Sequence, residues 1–414
     1  MVCAAQGGRP AEAGPPALLA RGITVLKKAR GCQRAVSRRA GSLTLVYLGV
    51  WTWPSLYAMK AWTDTLTEFS IRGASREIVM ATDSDIARQV TQLVRAKIGD
   101  ADVHALTTLP GHAGQSYSFE LESGPPTARM REKLVLRLAP EGVRIAGTAD
   151  VARQARIMES LGGTPVAVPP VRWYGDDPQW FGRPYFVVSF LRGDKLALGE
   201  RAFSADETRH LARATLETLV ALHRVEWEPR RAAWGEPFSL TDEMARLDNL
   251  LDRPTLDPKV AARAPELRER LRATLPANPR IGLVHGDFQW SNCLYDRGRL
   301  VAVIDWELAQ TGAVLLDLGW LCLFSDSDSW VDANLLPEHI RTPDEVISLY
   351  RDFAPFPVED SDVRWFRAFS GYRFGVITAF NLMLHRRGKR PDPTWEDIAL
   401  SAPRLFARGL ELLG

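Results

Sequence analysis

Ordered alternation of apolar and polar positions begins near Ala81. Ile86, Val90, Leu93 and Val94 recur at helical spacing behind Asp83 or Ser84, either of which can cap a helix. Tyr117, Phe119 and Leu121 then alternate with Ser118, Glu120 and Glu122, the period of a strand with one buried face. Gly124-Pro125-Pro126 makes a turn, and Leu134 to Leu138 reads as the next strand, with Val135 and Arg137 on the face opposite Leu134, Leu136 and Leu138. A helix over Val151 to Leu161 carries an inward stripe of Val151, Gln154, Ala155, Met158 and Leu161. The Pro-rich Thr164 to Pro170 follows, then strands at Val171 to Tyr174 and Tyr185 to Leu191. These elements predict a small sheet-based lobe with one main helix over residues 81–190.

Beyond it the pattern changes from period 2 to period 3.6. Ser204 with Glu207 is a capping box, followed by Ala212, Leu216, Leu219, Val220 and His223 on one face. His223 on that apolar face reads as a core histidine and not as a ligand. Thr342-Pro343-Asp344-Glu345 is a second capping box with proline at the first helical position. Trp365 to Leu384 forms a long aromatic and apolar segment. Residues 191–414 are therefore expected to form a larger, mostly helical lobe, and the fold class is α+β. No internal repeat interrupts this order.

The first 80 residues break the pattern. Met1 to Lys60 holds nine basic residues and one acid, Glu12, as expected of a transit peptide, a disordered arm or a stretch ahead of the true start. The apolar run Leu43 to Met59 follows basic residues, but it is short and interrupted by Pro54, whereas a spanning helix wants about 20 apolar residues. A membrane anchor is thus the lesser reading. Lys+Arg 52 against Asp+Glu 50 gives a charge of +2, without the basic excess of a nucleic-acid binder. Cys3, Cys32, Cys293 and Cys322 lack zinc spacing, and a disulfide framework is not expected in a chain of 414 residues, so a reducing cytoplasm is the default location.

Candidate chemistry concentrates between Leu283 and Asp305. In His285-Gly286-Asp287-Phe288-Gln289-Trp290-Ser291-Asn292, Asp287 follows an apolar pair and Asn292 comes five positions later, before the strand-like Cys293-Leu294-Tyr295. Leu300 to Ile304 is a second apolar strand, ending in Ile304-Asp305-Trp306-Glu307. A hairpin turning at Asp296-Arg297-Gly298 would bring Asn292 and Asp305 to neighbouring ends. A loop carboxylate can orient a hydroxyl, and an amide oxygen with a second carboxylate can hold magnesium, a hard cation that prefers oxygen. A lone His-Gly-Asp could instead be an ordinary turn, but not with this full spacing between two strands.

This arrangement resembles the aminoglycoside and choline phosphotransferase superfamily, relatives of protein kinases, from about Ala81 onward. Within it the sequence looks closest to the kinase-like domains fused to acyl-CoA dehydrogenases. The resemblance implies a two-lobed protein-kinase-like fold that uses ATP and Mg2+. It implies Asp287 as catalytic base, Asn292 and Asp305 as metal ligands, and His285 as support for the loop. Asp317 matches an aspartate that braces the catalytic loop in the family, but from the residues alone an Asp just before Leu-Gly-Trp reads more simply as a helix cap.

In the small lobe, Gly111 and Gly114 flank a turn whose backbone N–H groups could cover phosphates. The family places a lysine or arginine where Arg137 stands, contacting the α- and β-phosphates, with Val135 touching the adenine. Gln154 occupies the position where kinases put a glutamate that pairs with the lysine, so Arg137 is expected to meet a neutral partner. The segment around Ser189 is expected to supply the backbone hinge for adenine.

The sequence carries no Gly-x-x-x-x-Gly-Lys loop, Gly-x-Ser-x-Gly elbow or His-Glu-x-x-His motif. Asp326 to Asp328 lacks the pattern of a calcium loop and reads as solvated surface. Trp365, Phe369, Tyr372, Arg373 and Phe380 are candidates to line the acceptor pocket, although an aromatic stripe is more often core. Arg367, Arg373, His385, Arg386 and Arg387 favour an anionic or apolar hydroxylated acceptor, such as a hydroxyacyl compound or a macrolide-like sugar, over an aminoglycoside. Two functions follow: a small-molecule kinase with ATP and a hydroxylated substrate as partners, or a nucleotide-binding pseudokinase acting as an interaction module. Retention of Asp287, Asn292 and Asp305 together favours the enzyme.

Overall fold

A computed structural model describes residues 35–39, 42–46, 83–109, 115–125, 127–141, 149–196, 203–332, 336–337 and 339–414. The chain divides into two compact units, Met1–Thr52 and Trp53–Gly414. In the first, strand β1 (Ala35–Arg39) pairs antiparallel with β2 (Ser42–Val46). The expected anchor segment Leu43 to Met59 lies outside the described residues beyond Val46. No helix among the described residues is long and apolar enough to cross a membrane.

The first described element of the second unit is helix α1 (Asp83–Ile98). Acids Asp83 and Asp85 in its first turn and bases Arg95 and Lys97 in its last complement the helix dipole. It buries Ile86, Val90, Leu93 and Val94 against the sheet that follows. That sheet contains β3 (Ala101–Leu109), β4 (Gln115–Ser123), β5 (Met130–Leu138), β6 (Val171–Gly175) and β7 (Tyr185–Ser189). Its order is β3-β4-β5-β7-β6, with every neighbour antiparallel. On β5 the predicted alternation holds: Leu134, Leu136 and Leu138 are fully buried, while Val135 and Arg137 are half-buried on the opposite face. Helix α2 (Val151–Ser160) is capped by Asp150 and joins the core of the large lobe.

The chain crosses to the large lobe through residues 190–196. Asp194 exchanges two backbone hydrogen bonds of 2.8 Å with Tyr295. A Cβ on Gly193 would come within 3.1 Å of the Tyr295 carbonyl, so the close approach there calls for glycine.

Helix α3 (Ala205–Arg224) starts at the predicted Ser204–Glu207 capping box. Helices α4 (Leu240–Leu251) and α5 (Ala264–Ala273) lead to a β-rich insertion of β8 (Ile281–Val284), β9 (Cys293–Asp296), β10 (Arg299–Val303) and β11 (Gln310–Ala313). Helices α6 (Leu315–Leu323), α7 (Pro343–Phe353), α8 (Asp360–Arg386) and α9 (Ala402–Leu413) complete the lobe. The second capping box forms at Thr342 and Glu345 as predicted.

Helix α8 runs through the centre, buried at nearly every position from Val363 to Leu384, as a helix apolar on all sides must be. One of its close neighbours is α6. A Cβ on Gly319 would lie 2.4 Å from the Phe366 carbonyl oxygen, so only glycine lets the two helices approach this far. Because α6 carries Asp317 and Trp320, this contact sets the position of the site described next. Gly319→Ala should force the helices apart and lower stability by about 1–3 kcal/mol, the usual cost of overpacking a filled core. Urea denaturation measures this, and an unchanged midpoint would show that the contact is slack.

Candidate active site

The site grows from the end of β8, which pairs with β11 and buries Leu283 and Val284. The chain leaves the strand at His285 and turns at Gly286, whose φ is +82° and whose Cβ would stand 2.4 Å from the Leu308 carbonyl oxygen. Two backbone N–H groups, of His285 and Gly286, are thereby aimed into the protein. Both donate to the buried carboxylate of Asp317, at 2.7 and 2.8 Å. His223 Nε2 stands 3.4 Å from the same carboxylate, and its Nδ1 is 2.7 Å from the Tyr350 hydroxyl. Burial pushes the Tyr350 hydroxyl pKa up, so it remains a donor to Nδ1, and the Nε2 proton faces Asp317. His223 is thus a satisfied core histidine, as read from sequence. The favoured reading of Asp317 as a helix cap is corrected. It lies in the first turn of α6, and its oxygens bind another segment of chain.

Asp287 is almost wholly buried. Its Oδ1 accepts from the indole N–H of Trp320 at 2.8 Å and from Gln289 Nε2 at 3.0 Å. Its Oδ2 accepts from Asn292 Nδ2 at 2.9 Å. Burial, the largest influence, raises its pKa to about 7. The indole bond opposes this and the charge of Asp305 adds to it. Asn292 Nδ2 also donates to the Asp287 carbonyl oxygen at 2.9 Å. With the amide nitrogen held on both sides, Oδ1 is the atom left to meet a cation.

His285 ties this loop to the next one. Its Nε2 donates to the Ile304 carbonyl oxygen at 3.0 Å, and its Nδ1 accepts the Asp287 N–H at 3.3 Å. Complete burial lowers its pKa, which keeps it in that neutral tautomer. β9 and β10 form the predicted hairpin through Arg297 and Gly298, both at positive φ, and Ile304 N–H donates to the Asn292 carbonyl at 2.9 Å. Asn292 and Asp305 therefore stand at the same end of one hairpin. Asp305 itself adopts the left-handed conformation (φ 61°, ψ 58°), which turns it out of the strand before Trp306–Leu308 makes a short helical turn. Among the described residues no three His, Cys, Asp or Glu side chains form a ready-made metal cage. An amide oxygen and one carboxylate suit Mg2+, which keeps waters and takes further oxygens from phosphates.

The small lobe meets this hairpin through Arg137. Its Nη2 is 2.9 Å from Glu307 Oε2 and its Nη1 3.3 Å from Asp305 Oδ1. The expectation that Arg137 meets only the neutral Gln154 is corrected: two carboxylates of the large lobe bind it. Gln154 is buried on α2, and Val135 lies half-buried beside Val188. Ser189 ends β7, and its N–H donates to the Pro170 carbonyl at 2.9 Å, so that N–H is not a hinge donor. Gly111 and Gly114 lie outside the described residues.

The acceptor candidates fare differently. Tyr372 is fully buried, with its hydroxyl donating to Asp248 at 2.9 Å, and Arg373 lies between Glu243 at 3.4 Å and the face of Trp320 at 4.9 Å. Both are buried in the packing around α8. Trp365 and Phe369 stack in the same core. Most of the basic set is also committed: Arg367 pairs with Asp326, Arg386 with Glu396 and Asp257, and His385 accepts the Asp392 N–H, while Arg387 is exposed. Asp326, read as solvated, is buried between Arg367 and Arg408.

Glu307, Trp320 and Gln289 were missed by the sequence reading. Glu307 stood inside the quoted Ile-Asp-Trp-Glu, but nothing local links it to Arg137. Trp320 falls one helical turn after Asp317, a spacing that could have placed both on the face toward the loop.

The fold and the paired loops define a kinase-like phosphotransferase architecture. The chain belongs to the phosphotransferase enzyme family, whose model matches residues 114–356. It is similar to "Probable acyl-CoA dehydrogenase IBR3" of Arabidopsis thaliana, with 24% identity over 64% of this chain and 35% of that protein. It is also similar to "Acyl-CoA dehydrogenase family member 11" of Homo sapiens, with 27% identity over 53% and 28%. The chain thus spans about a third or less of these relatives. Among solved structures, a Ralstonia eutropha protein assigned as an aminoglycoside phosphotransferase shares the fold at a TM-score of 0.63 and 19% identity, covering 79% of this chain and 97% of that one. Aminoglycoside phosphotransferase APH(4)-Ia, solved with ADP and hygromycin B, gives 0.52 and 17%, covering 78% and 98%.

Two expectations follow from the Asp287 environment. With a folded pKa of about 7 against an ordinary 3.8, the folded chain keeps a proton that the unfolded chain releases. This contribution to stability is complete below the lower value and is lost as pH rises through the interval. Across roughly three units it amounts to at most about 4 kcal/mol. In metal-free buffer Asp287→Asn should therefore melt above wild type at pH 8, and the gap should close toward pH 4. A gap that does not change with pH would show that Asp287 is ionised without cost. Trp320→Phe keeps the ring but removes one bond to Oδ1, so kcat should fall about tenfold with little change in the KM for nucleotide, consistent with a lost bond to a charged group. Steady-state kinetics separates the two parameters.

Proposed function

We propose that the protein transfers the γ-phosphate of ATP, carried with Mg2+, to a hydroxyl of a small substrate. The observation that carries this reading is the joint placement of Asp287, Asn292 and Asp305. One buried carboxylate is held by three donors, and an amide oxygen and a second carboxylate stand at one hairpin end beside it. MgATP supplies the activated phosphoryl group. Asp287 Oδ2 holds the acceptor hydroxyl and takes its proton as the new bond forms. Asn292 Oδ1 and the Asp305 carboxylate hold the metal, and Arg137 faces the phosphates. His285 and Asp317 keep the two loops in register.

For the acceptor, likeness to proteins named as acyl-CoA dehydrogenases supports a hydroxyacyl compound. A macrolide-like sugar is the next candidate, and an aminoglycoside the less favoured. The argument from basic residues is reduced to the exposed Arg387, since Arg367, Arg373 and Arg386 are paired internally. A second reading, a nucleotide-binding pseudokinase, draws on the Arg137–Asp305 contact, which covers one proposed metal ligand. ADP release measured across a panel of hydroxyacyl compounds, macrolides and aminoglycosides tests the acceptor class. Nucleotide binding without turnover on any member would favour the second reading.

A metal ligand contributes to ground-state binding, whereas a base acts on the acceptor in the transition state. Asp305→Ala should thus lose most calorimetric affinity for MgATP. Asp287→Asn should keep that affinity while losing about 10²–10⁴ in kcat. Equal MgATP affinity in wild type and Asp305→Ala would remove Asp305 from the metal site.

A further inference from the structure

We propose that Glu307 is the positioning residue of the phosphate clamp, holding the Arg137 guanidinium in the place of a helix glutamate. The proposal rests on the nucleotide-binding reading above. Arg137 projects from β5, and its long side chain needs an external partner to fix the direction of its fork. Helix α2 offers the neutral Gln154 at the position where a carboxylate would serve. The carboxylates instead come from one turn of the large lobe, Asp305 and, two residues on, Glu307.

The two contacts are unequal. Glu307 is nearer, 2.9 against 3.3 Å, and its side chain is 1% exposed where that of Asp305 is 31%. A charge pair in the drier surroundings is the stronger and less screened one. Asp305 also has a competing task as a metal ligand, and whatever it gives a cation it withdraws from Arg137. Glu307 is the carboxylate that remains with the guanidinium. Arg137 then keeps Nη1 for a phosphate oxygen while Nη2 stays anchored. The turn that presents Asp305 to the metal also aims the clamp. Helix α2 supports that turn from behind, with Arg153 Nη2 donating to the Ala309 carbonyl.

The test is calorimetric titration of ATP in EDTA, and separately with Mg2+, into wild type, Arg137→Met, Glu307→Gln and the double variant. Glu307→Gln should weaken metal-free ATP binding about tenfold, as expected for a lost charge-assisted bond. The double variant should bind no more weakly than Arg137→Met alone, because Glu307 acts through Arg137. If neutralising Glu307 prevents folding, Glu307→Asp carries the same test. It keeps the charge but withdraws it by one methylene, and it should weaken binding in wild type and have no effect beside Arg137→Met. Additive losses would overturn the proposal, as would a Glu307→Gln chain that binds metal-free ATP normally and loses only the Mg2+-dependent part, the behaviour of a metal ligand. Failure of wild type to bind ATP under either condition would instead overturn the nucleotide-binding reading itself.

Discussion

The buried carboxylate of Asp317 accepts the N–H groups of His285 and Gly286, and the geometry of the site depends on these two bonds. A carboxylate removed from water must find donors, and backbone N–H groups leaving a strand must find acceptors. Here each need meets the other, which fixes where β8 ends and how the next residue enters the loop. The direction of Asp287 follows, since it begins where those two N–H groups are tied. His285 extends the constraint from the opposite side of the same residue: its ring bonds to the Ile304 carbonyl and so sets the start of the Asp305 turn. The positions of the two loops therefore both trace to one region of α6, whose seat against α8 depends on the bare Cα of Gly319.

Rigid placement has an electrostatic consequence. Asp287 is surrounded by donors but shielded from solvent, and desolvation outweighs the donors in setting its proton affinity. A carboxylate near neutrality is a stronger base than an exposed one, while the indole of Trp320 and the amide of Asn292 keep it from rotating. The arginine beneath Trp320 is itself buried, and desolvation lowers its pKa despite Glu243 beside it. Glu243, Arg373, Trp320 and Asp287 thus form a layered set behind the loop. Polarity reaches the Asp287 carboxylate through a neutral aromatic ring and not through direct ion pairing.

Much of this was legible in the chain because it is local. The alternation along Leu134 to Leu138, the capping boxes at Ser204 and Thr342, and the hairpin over 293–303 depend on spacing, and each formed where spacing put it. The joint position of Asn292 and Asp305 follows from that hairpin. What stayed illegible depends on which distant elements face each other. Tyr372 reads as a pocket residue until α4 places Asp248 against its hydroxyl. Arg367 and Arg386 read as free cations until Asp326 and Glu396 arrive from other segments. Arg137 and Glu307 stand 170 residues apart, and no periodicity connects them.

That last pairing changes how the two lobes depend on each other. A clamp oriented by a carboxylate on a small-lobe helix is assembled only when that helix swings into place. A clamp oriented by Glu307 is assembled when the lobes meet, because its anchor sits on the turn that carries Asp305. The Asp194–Tyr295 backbone pairing and the bond from Val303 N–H to the Ala167 carbonyl already hold the lobes at this edge. Helix α2 is tied to that same turn by the Arg153–Ala309 bond, and separation of the lobes would remove the arginine from Glu307 together with its contact to Asp305. If Arg137 and Asp305 hold phosphate and metal as proposed, the two tasks rise and fall as one event, governed by closure of the lobes.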